Sequence, residues 1–464
     1  MTRKTRTILF LFLLILFLTA APLTVLYCLG WRFDWETKKV IQPGIFYFKA
    51  WPKSVQIYLD DKFKKKTDFF FGSVLIENLL PKKYNVKIKK EGFHTWEKTL
   101  EIEKRKVTET KNIVLVPKDP KFKLVSKEIK DFFFSPDGKK IILKEENKDS
   151  ENPGWSLKLF ELEKSLKSHL IEEEDISKKE VQLIDLEFSL DSKKVLLEVG
   201  VKERLMFYLL ELDKAPPLLT LLDFLDPDVE KVYFNSRNSQ KLFVLKEGEL
   251  TEADLVKKKT SLALLENIIA LYVLDNAIYH LDSTGFLFKT NFSFERKEKL
   301  NIIPFSLKEE TKYEITVSNS DIVLKENNVL YVLEEDRKSF QKIFEPVENF
   351  RFSPDLRKMI YFNNYEIWVL FLEQEYSQPQ KEAGEQLFIT RFSEKIDEAF
   401  WYTSHYLIFN VGEKIKIAEI DDRDRINITE LIEFKNPEIF WNQDDKKLYV
   451  LSEENLFSSE KLVP

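Results

Sequence analysis

The chain contains a single cysteine, Cys28, so an intramolecular disulfide is excluded and cysteine usage does not report a redox compartment. Its four histidines, His94, His169, His280 and His405, lie far apart, with neither an HExxH pair nor a Cys/His spacing suited to zinc. No metal and no cofactor are expected. GxSxG, the P-loop and GxGxxG are also missing, which removes the motif-borne routes to acyl transfer, nucleotide hydrolysis and dinucleotide binding. Glycine is scarce, at 11 residues, whereas phenylalanine reaches 39. An apolar content of 44%, with 14% aromatics, speaks for a folded chain, and 464 residues predict at least two domains.

One segment is wholly uncharged. From Ile8 to Leu29, ILFLFLLILFLTAAPLTVLYCL runs 22 residues, long enough to cross hydrocarbon as a helix. Arg3, Lys4 and Arg6 precede it and Trp31 lies just beyond it. The positive-inside tendency then makes residues 1–7 a cytoplasmic stub and residues 8–30 a transmembrane helix, with the bulk of the chain extracytoplasmic. A cleaved signal peptide is the rival, because Thr19-Ala20-Ala21 supplies small residues after an apolar run. The run continues for eight residues beyond that point, which favours a retained single-pass anchor in the cell membrane. Tyr27 before Cys28 departs from the lipobox pattern, so lipidation is not expected.

Residues 43–118 alternate short apolar strands with turns, near period two. In VKIKK, Val86 and Ile88 face one side and the lysines the other. The order Ala50-Trp51-Pro52, Val55-Gln56-Ile57-Tyr58-Leu59-Asp60-Asp61-Lys62, Asn78-Leu79-Leu80-Pro81-Lys82-Lys83-Tyr84 and Glu91-Gly92-Phe93-His94-Thr95-Trp96 resembles a PEGA domain. The resemblance covers about 75 residues and departs where the family's glycines would stand, at Asp61 and Lys82. It implies a small β-sandwich, an accessory module of envelope proteins without catalytic residues.

Charge is divided along the chain. Residues 43–118 carry a net +8 and residues 1–42 a net +4, so with −6 overall the remaining 346 residues carry −18. The lysines Lys64, Lys65 and Lys66, read as a loop, together with Lys82, Lys83, Lys89 and Lys90, are candidates for contact with an anionic surface, either lipid headgroups or acidic wall polymer. The plainer reading is that they solubilise the sheet and block edge pairing. Nucleic acid is not expected as a partner of an exported, acidic protein.

Beyond Lys118-Asp119-Pro120, hairpins recur. Apolar starts at Phe132, Leu186, Val232, Ile269, Glu314, Phe350, Ala399 and Ile439 are spaced roughly 35 to 54 residues apart, the period of four-stranded propeller blades. In FFFSPDGKKIIL, Pro136 presets a turn, Asp137 bonds back to the backbone and Gly138 tolerates positive φ. The later copy FRFSPDLRKMIYF has Leu356 in the glycine's place, so the turn matters more than the glycine. These SPDG-type hairpins, and the stretch from Leu387 to Asp421, resemble TolB-like propellers; WD dipeptides are absent. The last unit has room for about three strands, and Phe122–Val125 is expected to supply its fourth.

Asp137, Asp191, Asp355 and Asp445 sit in recurring turns, where turn geometry accounts for them without catalysis. Trp155, Trp368, Trp401 and Trp441 read as packing between blades, against the alternative of stacking on sugars. The expected fold class is all-β apart from one N-terminal transmembrane helix: a PEGA-like β-sandwich over residues 43–118, then a β-propeller of eight blades, alternatively seven, over residues 121–464. The expected role is a membrane-anchored extracytoplasmic binding or scaffold protein of the cell envelope, whose propeller presents a face to a protein or glycan. An envelope protein or cell-wall polymer is the expected partner, and the oligomeric state is left open. The alternatives are a propeller enzyme acting on envelope glycans or a structural spacer; an enzyme is not the expected reading.

Overall fold

The computed structural model describes residues 3–28, 30–34, 38–147, 154–178, 180–202, 204–274, 276–334 and 336–463. Helix α1 (Arg3–Cys28) begins five residues before the apolar run, so most of the expected stub is helical; residues 1, 2 and 29 lie outside the described residues. Ile8 to Leu18 all expose their side chains. Thr19 and Thr24 fold their hydroxyls back onto carbonyls one turn earlier, Thr19 Oγ1 onto Ile15 O at 3.0 Å and Thr24 Oγ1 onto Ala20 O at 2.8 Å. A helix so apolar all round, with its hydroxyls satisfied internally, suits hydrocarbon, a property shared by anchors and signal sequences.

A short hairpin, β1 (Arg32–Asp34) and β2 (Lys39–Ile41), leads into a two-sheet sandwich. Its strands are β3 (Gly44–Trp51), β4 (Gln56–Leu59), β5 (Lys62–Lys66), β6 (Ser73–Leu79), β7 (Lys83–Lys89), β8 (Trp96–Glu101) and β9 (Val107–Val114). One sheet has the order β6-β3-β9, the other β5-β4-β7-β8. The period-two pattern sets which side chains turn inward: Phe46 and Phe48 of β3, Ile57 and Leu59 of β4, and Val86 and Ile88 of β7 form the core. Asp60 and Asp61, standing where a glycine would ease the turn, take φ of 49° and 62° between β4 and β5. Asp60 offsets the strain by accepting hydrogen bonds from Asn85 N and Lys82 Nζ, each at 3.0 Å.

The remaining strands build eight four-stranded antiparallel sheets among the described residues, which settles the blade count at eight. Blades 1 to 7 span residues 129–172, 181–221, 231–260, 268–299, 313–344, 349–391 and 396–433. Blade 8 joins both ends of the domain: β10 (Phe122–Lys127) pairs antiparallel with Asn455–Ser459, outside the hairpins of residues 438–459. Neighbouring sheets approach most closely through their first strands, which therefore ring the axis. An apolar cluster fills each of the eight gaps between blades, including the one that joins blade 8 to blade 1 through Tyr449, Leu451, Ile141 and Leu143. Second strands are caught between two such clusters, so Tyr406–Val411 is buried at every position rather than at alternate ones. Blades 3 to 5 have the same four strands as the rest.

The hairpin turns repeat one hydrogen-bonded device. Ser135 Oγ donates to Asp137 at 2.6 Å and accepts from Lys140 N, and Ser189 with Asp191 and Ser353 with Asp355 do the same. The fourth position of the turn has positive φ whatever its side chain: Gly138 63°, Ser192 56°, Leu356 57°. Gly138 is nevertheless favoured where it stands. A Cβ there would press on Asp444 and come within 2.6 Å of Asn442 Oδ1, in the neighbouring turn of blade 8, while Asn442 Nδ2 donates to Gly138 O at 2.8 Å. In blade 8 the arrangement changes: Asn442 takes the serine's place, and Asp445 accepts from Tyr449 Oη at 2.6 Å.

His280 is 1% exposed in blade 4, stacked on Phe288 with ring centroids 5.4 Å apart, and Lys297 Nζ lies 3.9 Å from the centre of the Phe288 ring. Burial, and then the charge of Lys297, push the imidazole down to about 4.

Two outcomes are expected. Gly138→Ala lowers unfolding stability by about 1–3 kcal/mol in denaturant titration, whereas Leu356→Gly changes it by less than about 1 kcal/mol. Because unfolded His280 titrates near 6.5 and folded His280 near 4, the unfolded state binds more protons between those values, so stability falls as pH drops from 6.5 towards 4, by up to roughly 3 kcal/mol. His280→Phe flattens that slope; an unchanged slope would show that other groups set the acid limb.

Candidate functional site

Every blade is an up-and-down meander, so the turns after first strands and after third strands lie at one end of the ring. Two features share that end. One is a seam where the sandwich docks on blades 6 and 7; the other is an aromatic depression over blades 8, 1 and 2.

The seam originates in the sandwich's topology. β8 and β9 are the edges of their sheets on one side of the sandwich, and their outward backbone groups need partners. Propeller side chains supply them. Thr99 N donates to Asp424 Oδ2 (2.7 Å) and Asn427 Nδ2 to Glu97 O (3.1 Å), satisfying β8. For β9, Glu109 N donates to Gln378 Oε1 (2.9 Å), Gln378 Nε2 to Val107 O (3.1 Å), Arg423 Nη1 to Glu109 O (2.8 Å) and Val114 N to Tyr406 Oη (3.0 Å). At the centre, Lys98, with a side chain 0% exposed, meets Glu419, 2% exposed, at 2.7 Å, and donates to Asp421 O at 2.5 Å. Trp96 Nε1 donates to the other Glu419 oxygen at 2.7 Å. Burial pushes the Glu419 carboxyl up, while Lys98 and Trp96 pull it down. A void of about 40 Å³ beside this pair, lined by His405, Tyr406, Lys358 and Phe371, has room for a water or two. The seam is therefore a joint at its centre, and along its margin an open polar cleft of about 690 Å³ runs between Thr99, Val107 and Thr108 of the sandwich and Gln378, Arg423 and Asp424 of the propeller.

The depression, about 590 Å³, is lined by Phe132–Phe134, Leu186–Phe188 and the segment from Phe440 to Asp444. Phe134 and Phe440 stack at 4.1 Å and Tyr449 meets Phe134 edge-on at 4.8 Å, so the floor is rigid. Its rim is made of the hairpin turns. Leu190, 57% exposed on the blade 2 turn, borders a second hollow of about 220 Å³ that reaches Phe234 and Asn235 of blade 3. Along the axis, Lys231 Nζ bonds to Asp185 at 2.7 Å and Arg351 Nη2 to Glu398 at 2.6 Å; burial raises the carboxyls of Asp131, Glu187 and Glu438.

The tryptophans lie inside. Trp155 Nε1 of blade 1 donates to Val181 O of blade 2 at 2.7 Å, and Trp401 Nε1 of blade 7 to Arg351 O of blade 6 at 2.9 Å. Trp441 is 2% exposed, and Trp368 packs among Phe344, Tyr361 and Phe388.

The candidate lysines divide into two groups. Lys64, Lys65 and Lys66 belong to the edge strand β5, not to a loop: pairing with β4 runs Leu59↔Lys62, Tyr58↔Phe63, Ile57↔Lys65 and Gln56↔Lys66, with Lys64 as the bulged residue. The two-residue turn at Asp60-Asp61 returns the chain at once into pairing, which draws the lysines into the strand. Lys66 and Lys89 flank Gln56 in one cross-strand row, and Lys90 Nζ donates to Lys53 O at 2.7 Å beside them. Lys82 and Lys83 lie at the other end of β7, Lys82 paired with Asp60 and Lys83 bordering the cleft towards the propeller. Sequence reasoning does not reach the seam, because Lys98 and Glu419 are 321 positions apart and read singly as surface charges.

No protein-family profile matches the chain, and no curated protein matches it. Among solved structures, it is similar to the Dos1 propeller (12% identity, TM-score 0.46, covering 74% of this chain and 95% of that one). It is similar also to the β-propeller domain of Cps50 (Swd1) from Myceliophteria thermophila (11%, 0.39, 72% and 97%) and to Hsv2 from Kluyveromyces lactis (9%, 0.40, 67% and 100%).

If the seam is a joint built around one buried pair, Lys98→Met leaves Glu419 uncompensated and costs about 3–5 kcal/mol, while Lys98→Met with Glu419→Leu recovers most of the loss. Denaturant unfolding checks the energies. Limited proteolysis near residues 116–121 should speed up in the single variant and return towards the native rate in the double one.

Proposed function

We propose that this chain is a membrane-anchored, extracytoplasmic binding scaffold of the cell envelope, which holds a protein partner on the end of its propeller. The observation that carries the reading is the aromatic depression of about 590 Å³ over blades 8, 1 and 2, beside which a second hollow of about 220 Å³ lies between the turns of blades 2 and 3. It is concave, apolar at its floor and rimmed by rigid turns, the composition of a protein-binding surface. A protein is favoured over a glycan because, of the four tryptophans weighed for sugar stacking, only Trp441 borders the depression, and it is 2% exposed.

The apolar helix supports the anchor, and the basic flank Arg3, Lys4 and Arg6 supports a cytoplasmic N-terminus. The PEGA-like residues of the sandwich and the SPDG-type turns support placement in the envelope. The sandwich docks on blades 6 and 7 and leaves the depression over blades 8, 1 and 2 uncovered, so a partner can approach beside it.

A photoreactive amino acid placed at Leu190 in the full chain, expressed in its own host, tests the proposal. One discrete cross-linked protein is expected, and its yield should drop at least about ten-fold on adding Pro136→Glu, a rim change that leaves the floor intact. Diffuse cross-linking that Pro136→Glu does not alter would point to a spacer.

A further inference from the structure

The propeller covers β8 and β9, the edges on one side of the sandwich, and the opposite side, β5 and β6, is open. The loop joining those two open edges reads Asp68-Phe69-Phe70-Phe71-Gly72, and its three phenylalanines are 74%, 75% and 74% exposed. Three consecutive phenylalanines so exposed are costly in water and mark a contact surface. They are also held in place. Asp68 Oδ1 accepts from Phe70 N (2.9 Å) and Phe71 N (2.5 Å), and Oδ2 accepts from Ser73 N (2.8 Å) and Ser73 Oγ (2.9 Å). The bond from Phe71 N leads the interactions that hold the carboxyl down at about 2, so this cage is ionised and intact at any physiological pH. Gly72, at φ 67°, closes the loop against Ala50, where a Cβ would come within 2.6 Å of the carbonyl oxygen. The aromatic tip is thus presented outward by a rigid turn rather than left by a frayed one.

Its surroundings are basic. Lys64, Lys65 and Lys66 lead into the loop along the open edge, Lys66 and Lys89 share the row through Gln56, and Lys90 is tied to Lys53 beneath it. Phe63 and Leu75, 53% and 39% exposed, extend the apolar strip along the same side. We propose that the Phe69–Phe71 loop is a second membrane contact: the rings insert among the acyl chains of the leaflet that α1 exits, and the lysine collar rests on anionic headgroups. An apolar tip within a cationic collar matches the two layers of an anionic bilayer surface in order, apolar interior then charged plane. The membrane is the chosen occupant because the same chain carries α1 only 15 residues before β3. β3 enters the sandwich at Gly44, opposite Leu79, whereas the loop lies at the far end of β6, past Ser73. The 15 residues between α1 and β3 are enough chain to let the sandwich lie on its β5/β6 side, which brings the loop to the bilayer surface. That orientation holds the propeller, bound to the opposite side, away from the lipid.

The inference rests on reading α1 as an anchor, and the experiment separates the two. Full-length protein with Cys28→Ser and a single fluorophore on Phe70→Cys is reconstituted into phosphatidylcholine vesicles, with or without phosphatidylglycerol, containing nitroxide-labelled acyl chains. A second preparation carries the fluorophore on Phe69→Cys, and a control carries it on Leu262→Cys, a residue 90% exposed on the propeller. Quenching at residues 69 and 70 several-fold above the control, stronger with phosphatidylglycerol and reduced by Lys64→Glu with Lys65→Glu and Lys66→Glu, is the expected result. Retention through carbonate washing reports the helix alone. A chain that stays in the vesicle but leaves both loop labels no more quenched than the control sinks the loop contact and keeps the anchor. A chain that washes out sinks both. Labels shielded from water without lipid quenching overturn the proposal in favour of a protein-binding knob.

Discussion

Four edge strands of a small sandwich must be satisfied or defended, and how each is treated organises the molecule. Sheet edges expose unpaired amides and carbonyls, and two of the four, β8 and β9, receive theirs from propeller side chains rather than from another strand. The Lys98–Glu419 pair sits at the middle of that arrangement, out of water, with Trp96 Nε1, Asn427 N and Asn427 Nδ2 donating to Glu419 and Asp421 O accepting from Lys98. Burying two charges is favourable only when the geometry supplies such partners, and removing either one leaves the other stranded. The joint therefore has one correct register.

The ring obeys the same rule by closing. Pairing of β10 with Asn455–Ser459 gives blade 8 its fourth strand and ties residues more than 300 positions apart into one sheet. With eight apolar gaps filled, the sheets cannot splay, so the turns at each end become a fixed surface. The aromatic depression inherits its shape from that rigidity. The seam occupies one sector of the same end, which gives the ring an orientation that eight similar blades alone would lack.

Much of the architecture is legible in the chain. Period-two alternation in β7 and the recurrence of apolar starts disclose strands and blades, because inward and outward positions of a half-buried strand must differ in polarity. The serine–aspartate turns are legible too, since they close within a few residues and their hydrogen bonds are local. Two positions depend on context that local pattern does not carry. Lys64–Lys66 reads as a loop, because three lysines in a row show no alternation; only the tight Asp60-Asp61 turn returns them to pairing along an open edge. Gly138 reads as one optional choice among turn residues, yet the approach of Asn442 and Asp444 from blade 8 leaves no room for a side chain there.

Composition and short-range periodicity are enough to specify the apolar helix, the all-β character of the rest of the chain, the division of charge between a basic module and an acidic ring, and the closing strand. The helix and the strands are visible within a few tens of residues, while the charge division and the closing strand come from counting along the whole chain. The assembled fold alone settles which charges are buried, which edges are covered, and where aromatic residues gather at the end of the ring. Lys98 and Glu419 differ from dozens of other lysines and glutamates only in being brought together, and burial is a property of what surrounds a side chain rather than of the side chain itself.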